Sequence, residues 1–115
     1  VDLGLRRHLL ARSKYDLGFS LENMVYFELL RRGYSVNVGK VGATEIDFVA
    51  RKNEEVRYYQ VTASMVEEAT FEREMTPLKN IADNYPKTVI TLDRFTLGNY
   101  EGIEVVNAID WLLDI

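Results

Sequence analysis

The 115-residue sequence contains no cysteine, two prolines, one tryptophan and one histidine. Without cysteine it can form neither disulfides nor thiolate metal sites. The lone His8 falls on an N-terminal amphipathic stretch and reads as a surface residue, not a catalytic base. No apolar run approaches the roughly 18 residues needed to span a bilayer. No basic-then-apolar leader with a small-residue cleavage site precedes the rest. A membrane partner is therefore not expected, and a cytoplasmic setting is the default. Basic charge is also scarce: 14 Lys and Arg stand against 18 Asp and Glu, a formal net charge of −4. A stand-alone nucleic-acid binder draws most of its affinity from phosphate neutralisation. Here the basic residues come only in small groups: Arg6, Arg7, Arg12 and Lys14; Arg31 and Arg32; Arg51 and Lys52. Any DNA contact would need a local patch.

What the chain does have is a 47% apolar fraction and 28% charged residues, the balance of one soluble domain over 1–115 that buries its own core. Linkers, repeats and low-complexity tracts are missing. The abrupt Val-Asp-Leu-Gly-Leu start gives the expectation of a piece cut from a longer protein.

Leu3, Leu5, Leu9 and Leu10 recur as a short amphipathic helix. Asp16, Gly18 and Ser20 read as a loop, with Ser20 as the N-cap of a helix over 21–32 that Gly33 stops. Three β-rich runs follow at 34–41, 44–51 and 56–63. In the second, Ile46, Phe48 and Ala50 alternate against Glu45, Asp47 and Val49, which predicts two distinct faces. A helix over 70–83 carries Phe71, Met75, Leu78 and Ala82 on one stripe, with Pro77 expected to split it and Thr76 to cap the second part. Asn84-Tyr85-Pro86 closes it. A strand over 87–92, a turn around Gly98 and Gly102, a strand over 103–106 and a final helix capped by Asn107 complete the order. The centre is αβββαβ, an α/β fold with a mixed central sheet flanked by helices.

Two carboxylates stand out. Glu22 falls inside the apolar stripe of Leu21, Val25 and Leu29, where burial is costly without a partner or metal; the alternative is a first-turn Glu serving the helix dipole. Glu28, one turn before Arg31 and Arg32, reads as a surface pair. If Lys52 pairs with Glu55 around a two-residue turn, Asp47 lies opposite Gln60 and Glu45 opposite Thr62. Oxygen ligands of that kind suit Mg²⁺ or Mn²⁺, which could orient a water at a phosphoryl group. The plainer reading is a solvated sheet face whose polar residues pair with one another.

The fragments GFSLENMVYFELLRRGYSV, EIDFVA, YYQVTASM and REMTPLKNIADNYPKTVITLD, in that order, resemble the C-terminal domain of unknown function of prokaryotic AAA-type ATPases. That family in turn resembles the PD-(D/E)XK, or restriction-endonuclease-like, nuclease superfamily, whose αβββαβ core matches the pattern above. The resemblance implies a metal site with Glu22 as the helix acid, Asp47 as the strand acid, and Gln60 and Thr62 in the acidic-x-Lys positions. Glu22, Asp47 and Gln60 would then hold Mg²⁺ or Mn²⁺. Gln60 brings no charge and Thr62 no cation, so the motif is degenerate. Lys40 or Arg73 would have to replace the missing cation. No GxxxxGK[ST] loop is present, so nucleotide chemistry would lie in the ATPase domain of the same parent chain. Expected roles are a non-catalytic accessory domain recognising DNA or a partner, an active Mg-dependent endonuclease with a rearranged site, or a structural or oligomerisation domain. For the last, Tyr15, Phe19, Phe95 and Tyr100 are candidates for an apolar patch.

Overall fold

A computed structural model describes residues 14–114, with side chains from 20 onward. The amphipathic stretch around Leu3–Leu10, with His8 and the first arginines, lies outside the described residues, as do the side chains of Tyr15 and Phe19. The order is α1 (Lys14–Arg31), β1 (Ser35–Val41), β2 (Thr44–Lys52), β3 (Glu55–Thr62), α2 (Glu68–Lys79), β4 (Lys87–Thr91), β5 (Gly98–Tyr100), β6 (Ile103–Asn107) and α3 (Ala108–Leu113). The six strands form one mixed sheet in the order β1-β2-β3-β4-β6-β5. β1–β2, β2–β3 and β5–β6 are antiparallel, whereas β3–β4 and β4–β6 are parallel. Helix α2 makes the β3-to-β4 crossover, and the β5–β6 hairpin returns the chain beside β4.

Helix α1 begins earlier than expected. Gly18 and Ser20 lie inside it, and Ser20 is buried instead of capping. Tertiary packing overrides weak helix propensity here: Leu21, Val25 and Leu29 are fully buried against the sheet, each burial stabilising by roughly 1.5–3 kcal/mol. Its end is as expected. Gly33, at φ +95°, donates to Leu30 O, and Tyr34 N–H donates to Leu29 O, both at 3.0 Å, closing the last turn. Glu28 accepts from Arg31 at 2.6 and 2.9 Å and from Arg32 at 2.7 Å. The Arg32 guanidinium continues to Trp111 O (2.6 Å) and Asp114 O (2.9 Å), so the pair also ties α1 to α3.

Pro77 does not split α2. It sits in the last turn, where the missing N–H costs one bond, and the helix runs through to Lys79 without a second capped part. The loop after it is tied by Lys87 Nζ, which donates to Asp83 O, Asp83 Oδ1 and Tyr85 O at 2.8–3.0 Å. β5 stands where the sequence pattern shows only a turn, because three residues with two exposed carry too little pattern to mark a strand. Asn107 caps α3 as expected, its Oδ1 accepting from Ile109 N and Asp110 N at 3.0 and 3.1 Å.

Two cores flank the sheet. Leu21, Val25 and Leu29 pack with Phe48, Ala50, Tyr59, Val61 and Ile90 under α1; Met75 and Leu78 pack with Val49, Tyr58, Val89 and Val105 under α2. Ile46 belongs to the second group, not to the face of Phe48 and Ala50. The cause is a β-bulge: Asn37 pairs with Val49 and Gly39 with Ile46, so Val38 alone faces Asp47 and Phe48. One extra residue reverses the alternation below it.

At the carboxyl end of the parallel strands, Asp93 organises the loops. Its Oδ2 accepts from Met65 N (2.6 Å), Ser64 Oγ and Thr91 Oγ1, and its Oδ1 from Phe95 N, Thr96 N and Thr96 Oγ1. Asp93→Ala would leave these donors without their acceptor and should cost about 2 kcal/mol in urea unfolding. A variant as stable as the parent would show that water replaces the carboxylate at no loss.

Candidate functional site

The β2–β3 ladder runs from Lys52↔Glu55 to Phe48↔Tyr59, the register expected from the two-residue turn, and then stops. At the next rung the backbone bonds are replaced by side chains. Asp47 N–H donates to Gln60 Oε1, and Val61 N–H donates to Asp47 Oδ2, both at 2.8 Å. Gln60 Nε2 reaches out of the sheet to Glu74 O on α2, at 3.3 Å. The bulge on β2 opens the ladder at this point, and the two side chains close the gap. Asp47 and Gln60 are therefore brought together as expected.

The other two members of the expected patch are not. Glu45 is exposed and pairs across β1 with Lys40. Thr62 is past the end of the β2–β3 ladder, and its hydroxyl donates to Ser64 O at 3.2 Å. The single-face patch of two carboxylates, an amide and a hydroxyl thus fails, because the bulge ends the regular register before reaching Glu45.

Glu22 lies in the middle of α1, not in a first turn, so service to the helix dipole is excluded. It is half-buried, and its carboxyl is pushed up first by burial and then by the charge of Asp47. Asp47 is also pushed up by burial, against the lowering effect of the Val61 N–H. A third carboxylate, which the sequence reading passed over, completes the group. Glu74 of α2 is pushed up to about 7 by burial and by Asp47, with Arg73 opposing and Glu22 adding. The site is thus three carboxylates from α1, β2 and α2, gathered where β2 and β3 part. Glu74 falls one residue before the buried Met75, on the edge of the helical stripe; that spacing was the signal available for it.

Cationic compensation is thin. Arg73 Nε lies 3.7 Å from Glu74 Oε2, with most of its side chain in solvent. Among the described residues, no lysine or arginine forms an ion pair with Glu22 or Asp47. Three carboxylates sharing a half-buried space then compete for charge, and a proton relieves the repulsion.

Two of the oxygens expected to hold Mg²⁺ or Mn²⁺ are engaged within the fold. The Gln60 oxygen is already an acceptor for Asp47 N–H, and one Asp47 oxygen is taken by Val61 N–H. Among the described residues, no three Asp, Glu, His or Cys side chains converge closely enough to hold a metal ion.

No family model and no solved structure matches the chain. It is 46% identical over 113 residues, 98% of its length, to an uncharacterized protein of Haemophilus influenzae. The chain spans 28% of that protein's length. No helix among the described residues is long and apolar enough to cross a membrane.

Proposed function

We propose that this chain is a restriction-endonuclease-like accessory domain of a larger prokaryotic AAA-type ATPase, and that its nuclease centre has become a structural joint used in partner recognition without cleavage. The observation that carries this reading is the engagement of Gln60. Both ends of its amide are committed, the oxygen to Asp47 N–H and the nitrogen to Glu74 O. An acid in that position would be an open metal ligand; here it is a brace between β2, β3 and α2. Thr62, in the place of the expected lysine, is turned to a local carbonyl. Phosphoryl hydrolysis needs a cation at the transition-state charge, and the site supplies an excess of carboxylates instead.

The order of helices and strands around the site supports the fold assignment. The greater length of the Haemophilus influenzae protein supports a module within a longer chain. Uncompensated carboxylates also repel a phosphate backbone, so a protein partner is favoured over DNA where β2 and β3 part. The domain should release no product from plasmid or oligonucleotide DNA in Mg²⁺ or Mn²⁺. Metal-dependent cleavage that disappears in Asp47→Ala would overturn this reading in favour of an active endonuclease.

A further inference from the structure

Between the end of α1 and helix α3, a hollow of about 690 Å³ opens onto the sheet near the amino ends of β4 and β6. Its floor follows from the strand register. Tyr59 of β3 pairs with Thr88 of β4, and Thr88 with Glu104 of β6. A phenol, a hydroxyl and a carboxylate therefore stand in one row on one face, neighbours about 4.8 Å apart from strand to strand. Val106 of β6 and Trp111 and Leu113 of α3 add an apolar wall.

Thr88 is only 7% exposed, yet its hydroxyl makes no hydrogen bond among the described residues. No fully enclosed side-chain polar atom there lacks a partner, so the Thr88 oxygen opens on the hollow that it lines. A hydroxyl so deeply set costs stability unless an occupant of the hollow supplies its partner. Charge decides the sign of that occupant. Arg32 is committed to Glu28 at 2.7 Å and to Trp111 O and Asp114 O, and its guanidinium lies 4.3 Å from the centre of the Trp111 ring. Arg57 is paired with Glu55. Each arginine at the hollow thus has its own acid. Asp110, at the rim, is paired with Arg94 at 3.0 Å. Glu104 and Asp114 form no ion pair among the described residues, and their negative charge is uncompensated.

We propose that this hollow binds an alkylammonium group, which donates to the Glu104 carboxylate and to Thr88 Oγ1 while its stem lies against Val106, Leu113 and Trp111. An ammonium is a compact charge with three donors, which suits two oxygens on adjacent strands, and its alkyl stem suits the apolar wall beside them. An anion would meet Glu104 and Asp114 as like charges, and a neutral alcohol would leave them unmatched. A free amine and the lysine side chain of a partner protein both carry this chemistry. The hollow shares no residue with the cluster of Glu22, Asp47 and Glu74, so the inference does not depend on the function proposed for that site.

Trp111 is the sole tryptophan of the chain, so its fluorescence reports on the filling of the hollow. Pentylamine, 1-pentanol and pentanoate share one stem and differ only in the head group. At neutral pH, pentylamine alone should change the emission saturably at millimolar concentration. Glu104 is exposed, so Glu104→Gln should leave the fold intact and weaken pentylamine about tenfold, the loss of one charge-assisted hydrogen bond. Thr88→Val keeps the shape of the side chain; it should weaken binding several-fold and raise the urea midpoint, because the unpartnered hydroxyl is gone. Nα-acetyl-lysine methylamide separates the two sources: tighter binding than pentylamine assigns a partner's lysine, and weaker binding a free amine. No saturable response to pentylamine overturns the proposal. So does an equal response to pentanol or pentanoate, or a Glu104→Gln variant that binds pentylamine as tightly as the parent.

Discussion

Raising the pH from about 5 to about 8 should destabilise this protein, and Glu74→Gln should remove most of that loss. Glu74 takes its proton near 7 in the fold, against 4.5 for the ordinary group. Over the interval between those values the folded state holds more protons than the unfolded chain, so stability falls as pH rises. The contribution is fully present below about 4.5 and is lost as pH climbs through about 7. A displacement of that size corresponds to about 3 kcal/mol, and the small exposure of the side chain, 14%, leaves little solvent screening to reduce it. Glu22 and Asp47 act in the same direction. Glu74→Gln should therefore gain about 2–3 kcal/mol at pH 8 and little at pH 5. Urea titrations of both proteins at the two pH values give the answer. A parent whose stability is flat over this range, or a variant that keeps the slope, would show that the three carboxylates do not repel one another in the fold.

The acid limb has the opposite sign. Burial alone would raise Asp93, yet the N–H groups of Met65, Thr96 and Phe95 and the Thr96 hydroxyl hold it below its usual value. The same conflict at Asp83 is won by Tyr58 and Lys87, and at Glu28 by hydrogen bonds from Arg31 and Arg32. These groups stabilise the fold above the ordinary carboxylate range and stop doing so as pH falls through their lowered values. Maximum stability is accordingly expected in mildly acidic solution.

Substitution of Gln60 should have an effect of similar size, and its pH dependence separates brace from ligand. Gln60→Ala removes the acceptor of Asp47 N–H and leaves a hole at a residue that is 5% exposed. An unmade buried bond and a cavity together cost about 2–4 kcal/mol. Gln60→Glu, which restores the acid of the nuclease motif, keeps the size and the acceptor. It exchanges the donor facing Glu74 O for a carboxylate oxygen and adds a fourth charge beside Glu22, Asp47 and Glu74. That variant should lose little against the parent at pH 5, where Glu74 holds its proton, and be clearly weaker at pH 8, where Glu74 is charged. Equal stability of Gln60→Glu and the parent at pH 8 would mean that the space tolerates a carboxylate, and the description of Gln60 as a structural brace would fail.

Much of this architecture was legible from local pattern. The helix stop at Gly33, the cap at Asn107 and the turn pairing Lys52 with Glu55 are short-range features, decided by one residue's backbone freedom, one side chain's reach and two residues' spacing. For the same reason Glu22, Asp47 and Gln60 could be singled out: a polar group on an apolar stripe, or at a sheet position two residues from a core side chain, is visible in the spacing. The early start of α1 and the passage through Pro77 were not, because packing of Leu21, Leu78 and their neighbours outweighs propensities worth tenths of a kcal/mol to a few kcal/mol.

The sequence by itself determined the alternation of helices and strands, the mixed character of the sheet and the identity of two of the three clustered acids. Only the tertiary structure decided what those acids do to one another. The bulge opposite Val38 has no mark in the β2 sequence, yet it turns Ile46 to the other face, ends the ladder before Glu45 and opens the rung that Asp47 and Gln60 close. Glu74 joins them from an element that follows Gln60 by a loop and a half-helix. Charge repulsion and desolvation depend on distances through space, and those exist only once α1, α2 and the sheet have packed.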